Sequence, residues 1–247
     1  FDSKAGWADS VKMLMTNLYD GQNIYFDYSQ IRLEGARLRT MGGRASGPAP
    51  LIKLHDFIRE TMHNAQGRKL RTIEAHDICN QIAEIVVVGG VRRSSQISLS
   101  DINDKEMRHA KEWPFPIKRA MANNSAIFRE KPSAAQFLKE WASLALSGTG
   151  ERGIFNLTSA QNKAPSRRYA PLIQGTNPCG EIMLRDMEFC NLSEVVIRAE
   201  DNLDTLLDKV ETATWLGVIQ SSFTYFPYLR ESWKRNCDVE ALLGVSL

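Results

Sequence analysis

Apolar residues at Trp7, Val11, Leu14, Met15 and Leu18 recur three or four positions apart, which predicts an amphipathic helix over 7–18. Asn23 to Asp27 reads as a strand, and the Gly- and Arg-rich stretch 32–50 reads as a loop. Helical spacing returns from Leu51 to Met62. Thr72 is the predicted cap of a helix running to about Val86, with Ile73, Ile78, Ile82 and Ile85 on one side. Gln96 to Ser100 alternates as a strand should. Ser133 and Gln136 have capping-box spacing ahead of a helix to about Leu146. Gly153 to Leu157 predicts a buried strand, 159–168 a polar connection, and Cys190 to Val195 a short apolar strand. Helices are expected at about 202–222 and 229–243, and the last residues, from Gly244, look like a strand beginning. Strands alternating with long helices, without repeats or low-complexity tracts, predict an α/β architecture.

Composition narrows the classes. The chain has 247 residues, 43% hydrophobic, enough to bury the core of one large domain or two small ones. A formal charge of +2 gives no bias toward nucleic acid or a membrane surface, although basic residues cluster at Arg32–Arg44 and at Arg92-Arg93. The longest apolar run, Ile85 to Val88, is far short of the ~18 residues of a membrane span, so no membrane partner is expected. Cysteines at 79, 179, 190 and 237 form no CxxC pair and no zinc spacing, which argues against a secreted disulfide framework or a structural metal site and for a cytoplasmic location. Cys79, inside an apolar helical pattern, reads as a buried, inert thiol. Cys237 reads as structural. Histidines 55, 63, 76 and 109 form no ligand pattern and are expected at the surface or at caps. Phe1 in place of an initiator Met leads to the expectation of a piece of a larger protein.

The candidate chemistry sits in Asn177-Pro178-Cys179-Gly180-Glu181 and in Cys190, eleven residues beyond Cys179. Pro178 and Gly180 make a shaped loop, and extended spacing i, i+2, i+4 would point amide, thiol and carboxylate the same way. Glu181 is then a candidate general base and Asn177 a candidate donor to substrate. The alternative, two small core cysteines, stays open on the residues alone. Two glycine loops, Gly42-Gly43 with Ser46 and Gly89-Gly90-Val91-Arg92-Arg93-Ser94, could bring backbone N–H groups and Arg forks to phosphates. Neither matches a known phosphate-loop spacing, and each alone reads first as an ordinary turn.

These segments together resemble the catalytic subunit of ribonucleotide reductases, most closely the adenosylcobalamin-dependent class II type. The resemblance rests on Asp2 to Trp7, Gly42 to Leu51, Asp77-Ile78-Cys79-Asn80, Gly90 to Ser94, Asn123-Asn124-Ser125, Asn177 to Ile182, Cys190-Asn191-Leu192 and Gly244-Val245-Ser246, which run in family order over essentially the whole chain. It implies part of a ten-stranded α/β barrel, incomplete at both ends over 1–247, with a central finger loop carrying the radical cysteine. By resemblance Cys179 is the thiyl cysteine, Glu181 takes the proton of the ribose 3′-OH, Asn177 bonds substrate hydroxyls, and Cys190 is one of two reducing thiols. Gly89, Gly90, Val91, Arg92, Arg93 and Ser94 match the loop that carries effector information to the substrate base. Gly42, Gly43, Ser46 and Asp2 match the effector side more loosely.

The implied reaction is reduction of a ribonucleoside di- or triphosphate to its 2′-deoxy form. The implied cofactor is adenosylcobalamin, or alternatively a radical from a metal-containing partner subunit. A dNTP or ATP effector, a thioredoxin-like reductant and a complementary polypeptide complete the expected partners. Neither Cys79 nor Cys237 matches the second reducing cysteine, which the family carries upstream of the segment corresponding to Phe1. The other reading is a nucleotide-binding or assembly half-module, inactive without a complementary chain.

Overall fold

The computed structural model describes residues 1–38, 43–88, 91–92 and 94–247, with the backbone alone for 87, 88, 91 and 92. It divides into two compact units, Phe1–Ile127 with Pro132–Phe155, and Phe128–Lys131 with Asn156–Leu247.

The first unit contains α1 (Lys4–Tyr19), α2 (Ala49–Asn64), α3 (Thr72–Ile85), β1 (Val87–Val88), β2 (Val91–Arg92), β3 (Gln96–Asp101), α4 (Lys105–Arg108), β4 (Ala122–Phe128), α5 (Ala134–Leu146) and β5 (Gly153–Asn156). Ser3 caps α1 by accepting the N–H of Gly6. The apolar stripes of α1, α2 and α3 meet in a core of Leu14, Leu51, Leu54, Ile58 and Ile78. Residues 23–27 form no strand. Ile24, Phe26 and Tyr28 instead lay one face on that helical core, so the alternation is real but has no ladder partner. The cap of α3 is Arg71, not Thr72, because the Glu74 carboxylate reaches back to the Arg71 N–H at 2.8 Å. Ile82 and Cys79 lie on the exposed side of α3, so Cys79 is not the buried thiol its pattern suggested. Beside α3, β3 and β4 run parallel from Gln96↔Ala122 to Asp101↔Ile127, and β5 joins β4.

The expectation of surface histidines holds for His63 and His109 and is overturned for His55 and His76. His55 is fully buried, with Nε2 against Ser10 Oγ at 3.0 Å and Nδ1 against Tyr28 Oη at 2.8 Å. Because Ser10 Oγ–H is given to the Trp7 carbonyl, the hydroxyl accepts from Nε2–H, and Nδ1 accepts from Tyr28. Burial, then Arg59 nearby, pulls His55 down to about 4, so the ring is a neutral staple. His76 is also buried, between Asn124 Oδ1 at 3.1 Å and Asn80 Nδ2 at 2.9 Å. Asn80 in turn accepts from Gln96. Two of the quoted motif segments are thus joined by a satisfied polar bridge between helix and sheet.

The second unit contains α6 (Leu157–Lys163), β6 (Ile173–Thr176), β7 (Met183–Arg185), β8 (Asn191–Glu194), α7 (Leu203–Ser221), α8 (Glu231–Val239) and β9 (Leu243–Ser246). The polar stretch expected as a connection starts with α6, capped where Asn156 Oδ1 accepts the Ser159 N–H. The helix expected over 229–243 is shorter, because Leu243 already belongs to β9. β6 and β7 are antiparallel, while β8 and β9 are parallel in the register Asn191↔Leu243 to Glu194↔Ser246.

The α/β class holds, and the strands make up no more than the partial barrel expected: among the described residues they lie in four separate sheets, none closed. A barrel requires every strand to have two neighbours, and here β8 pairs with β9 alone.

Candidate active site

The loop between β6 and β7 owes its shape to turn chemistry. The Gly180 N–H donates to the Asn177 carbonyl at 3.0 Å, closing a turn with Pro178 second and Gly180 fourth. Gly180 has φ +88°, which a side chain would strain. The loop is therefore a tight turn and not the extended run that i, i+2, i+4 spacing suggested. Asn177 N–H donates to the Ile182 carbonyl at 3.1 Å, and the Ile182 N–H returns to Asn177 Oδ1 at 3.0 Å. With its oxygen so engaged, the buried carboxamide turns Nδ2 toward Glu181 Oε1 at 2.6 Å. Asn177 thus orients Glu181, while Cys179 stands exposed at the turn.

Cys190 reaches the same loop by strand alternation. Ser193 faces α7, donating to the Ala213 carbonyl at 3.0 Å, so the opposite parity, Leu192 and Cys190, faces away from that helix. A Cβ on Gly244 would meet Leu192 Cδ2 at 2.8 Å and Ile182 Cδ1 at 3.1 Å, which shows how closely β8 and β9 approach the loop. Burial, and then the charges of Glu181 and Cys179, push the half-buried Cys190 thiol up. The four residues singled out in the sequence, Asn177, Cys179, Glu181 and Cys190, therefore share one neighbourhood. Cys237 and Cys190 line the same cavity, of about 270 Å³, together with Phe189, Phe223 and Phe226.

Below the loop lie four charged side chains that sequence patterning gave no reason to group. Arg168 pairs with Glu240, Arg185 with Glu188 at 2.7 Å, and Arg185 also reaches Glu240 at 3.2 Å. The Glu188 side chain is fully buried. Burial raises Glu188, whereas the arginines and the hydrogen bond from Glu188 overcome burial and lower Glu240.

The residues expected on the effector side fall in the first unit. Gly43 and Ser46 line a cavity of about 880 Å³ together with Arg44, Lys53, Gln81 and Glu84. Arg44 donates to the Gly35 carbonyl at 2.9 Å, and Lys53 pairs with Glu84 at 2.8 Å. Asp2 pairs with Arg32 instead. Ser94 Oγ donates to the Ala83 carbonyl at 2.6 Å, tying the second glycine loop to the end of α3. Val91 and Arg92 form β2 against β1; Gly42, Gly89, Gly90 and Arg93 lie outside the described residues. Among the described residues no cluster of three His, Cys, Asp or Glu side chains could hold a metal ion, and no helix is long and apolar enough to cross a membrane.

Comparisons with known proteins identify the family. Residues 2–62 match the insertion domain of B12-dependent ribonucleotide reductase, and residues 90–224 match the ribonucleotide reductase barrel domain. The adenosylcobalamin-dependent ribonucleoside-triphosphate reductase of Lactobacillus leichmannii is 34% identical over 207 residues, covering 78% of this chain and 28% of the relative. That of Euglena gracilis is 32% identical over 241 residues, covering 94% of this chain and 32% of the relative. A crystal structure of a B12-dependent class II ribonucleotide reductase superposes with a TM-score of 0.68 at 28% identity, over 98% of this chain and 32% of that one. The chain spans about a third or less of the length of these relatives. With a family match over more than half of its residues, the chain belongs to the ribonucleotide reductase family, as a homologue of the central portion of the class II catalytic domain.

Proposed function

We propose that this chain supplies the thiol-bearing part of an active site that reduces ribonucleotides to 2′-deoxyribonucleotides by thiyl-radical chemistry. The observation that carries the reading is the grouping of an exposed Cys179, a Glu181 oriented by Asn177, and Cys190 close enough to feel both charges. As a thiyl, Cys179 takes the hydrogen atom from C3′ and becomes a thiol. Glu181 accepts the 3′-OH proton, and the 2′-OH leaves as water. Cys190 and a second thiol lose two electrons and two protons and become a disulfide. Cys179 then returns its hydrogen atom to C3′. The second thiol comes from a complementary segment, and a thioredoxin-like reductant reopens the disulfide.

Adenosylcobalamin, named for the relatives, supplies a carbon-centred radical by bond homolysis. Toward it this chain offers the exposed Cys179 thiol, and Gly180, without a side chain, leaves the approach to that thiol open. The cavity at Gly43 and Ser46 has the volume of a nucleotide site, with Arg44 and Lys53 as cations, and is assigned to a dNTP or ATP effector.

The test is Cys179→Ala in the intact polypeptide, assayed with adenosylcobalamin under anaerobic conditions. Turnover is lost while nucleotide binding is kept; retained turnover overturns the reading. A coupled cobalt–thiyl EPR signal distinguishes the cobalamin route from a metal-radical partner. In the half-module reading, the chain alone binds nucleotide and turnover appears only with a second polypeptide.

A further inference from the structure

The stretch joining Cys179 to Cys190 is held by its backbone atoms. Arg168 Nη1 donates to the Met183 carbonyl at 2.9 Å. The Arg185 N–H donates to Glu188 Oε2 at 2.8 Å, and the Arg185 guanidinium donates to Glu188 Oε1 and to the Asn236 carbonyl at 2.9 Å. Asn236 Nδ2 then donates to the carbonyls of Asp186 at 2.7 Å and Met187 at 3.3 Å. Those bonds fix a turn in which Met187 has φ +54°, the left-handed region that a Met enters only under restraint. Glu240 closes the group from the far side. It binds Arg168 and Arg185, and it immediately precedes the segment whose Leu242 carbonyl accepts the Asn191 N–H at 2.8 Å. Phe189, between turn and thiol, is packed by Phe226 at 5.0 Å and Trp233 at 4.6 Å between ring centroids.

We propose that Arg168, Arg185, Glu188 and Glu240 are positioning residues for the two thiols: their buried ion-pair cluster fixes the path from β7 to Cys190, and so the place of Cys190 relative to the Cys179 turn. Arg168, Glu188 and the Arg185-bound Asn236 bond backbone atoms of residues 183–187, and Glu240 adjoins the segment that seats Asn191, so displacement of the cluster shifts the path to Cys190. The importance of that position for turnover rests on the reductase reading; the positioning itself does not. Buried charges in such a cluster cannot be exchanged freely, because Arg presents a planar fork that Lys lacks.

The experiment uses Arg185→Met, with Arg185→Lys as the milder change, in the intact polypeptide. Peptide mass spectrometry follows iodoacetamide alkylation of Cys190 across pH, with Cys79 in the other unit as reference. Released from its seat, Cys190 alkylates about fivefold faster in both variants, with its pH midpoint lowered, while Cys79 is unchanged. In parallel kcat falls about tenfold or more with KM within about twofold, the pattern of a misplaced reacting group. If Arg185→Met does not fold, Arg185→Lys decides. A wild-type alkylation profile and kcat alongside a lowered Tm make the cluster structural only and overturn the proposal. If the wild-type polypeptide shows no reductase turnover but the alkylation change is present, the positioning stands and the reductase reading falls.

Discussion

Asn177 is the residue whose loss separates stability from chemistry most cleanly. Its Oδ1 accepts the buried Ile182 N–H and its Nδ2 donates to Glu181. In Asn177→Ala the Ile182 N–H is left inside without an acceptor, at a cost of ~1–3 kcal/mol. Loss of the donor to the solvent-exposed Glu181 adds less, ~0.5 kcal/mol, because water replaces it. The expected destabilisation is thus about 2 kcal/mol, read as a shift in urea midpoint at constant m. Asn177→Asp restores the acceptor for Ile182 and recovers most of that loss. It also replaces the donor to Glu181 with a second carboxylate, so Glu181 loses its orientation and its ionised form is opposed. Reductase activity should therefore fall at least as far in Asn177→Asp as in Asn177→Ala, although the Asp variant is the more stable protein. An Ala variant within about 0.5 kcal/mol of wild type, or an Asp variant with wild-type activity, refutes the assignment of Asn177 as the orienter of Glu181.

Three further outcomes follow from buried groups. His55 is held down to about 4 while its ordinary value is 6.5, so as pH falls through that interval the unfolded chain takes up a proton that the folded chain refuses. Stability of the first unit then drops between pH 6.5 and 4 by ~2–3 kcal/mol, and His55→Gln should flatten that dependence in denaturant titrations at pH 7 and pH 4.5. Since burial raises Glu188 and the arginines lower Glu240, Glu188→Gln should be the less costly of the two changes, whereas Glu240→Gln strands the arginines and should cost ~3 kcal/mol or more by chemical denaturation. Gly244→Val crowds Leu192 and Ile182 and should lower stability by ~1–3 kcal/mol; adding Leu192→Ala should recover part of it, and strict additivity in that double-mutant cycle speaks against the contact.

Local signals in the sequence carried most of the helices and the reactive turn. The Ser133–Gln136 box forms as spaced, and Pro178 with Gly180 dictates the Cys179 turn, because both depend only on residues a few positions apart. Residues 23–27 misled because alternation shows one buried face without saying whether a strand or a helix covers it. Asn156 capping α6 was masked by a polar composition that suits an exposed helix as well as a loop. The buried histidines were illegible for another reason. Ser10 lies 45 residues from His55, and Asn124 lies 48 from His76, so nothing near either ring announces its partner. The same distance hid the charged cluster, in which Arg168 and Glu240 are 72 residues apart. Their identities as Arg and Glu look like ordinary surface residues until the fold encloses them.

The helix α7 rests on β8 and β9 through its smallest residues. Ala213 is buried, and a Cβ on Gly217 would lie 3.4 Å from Leu243. Its large side chains point the other way, with Trp215, Leu216 and Ile219 all more than half exposed in this chain. The colloidal consequence is direct. A patch of that kind on a protein with a net charge of only +2 has little electrostatic repulsion to keep copies apart. Handled on its own at neutral pH and high salt, the chain will associate through this helix as concentration rises, and charged replacements at Trp215 and Ile219 will keep it dispersed without touching the thiol loop.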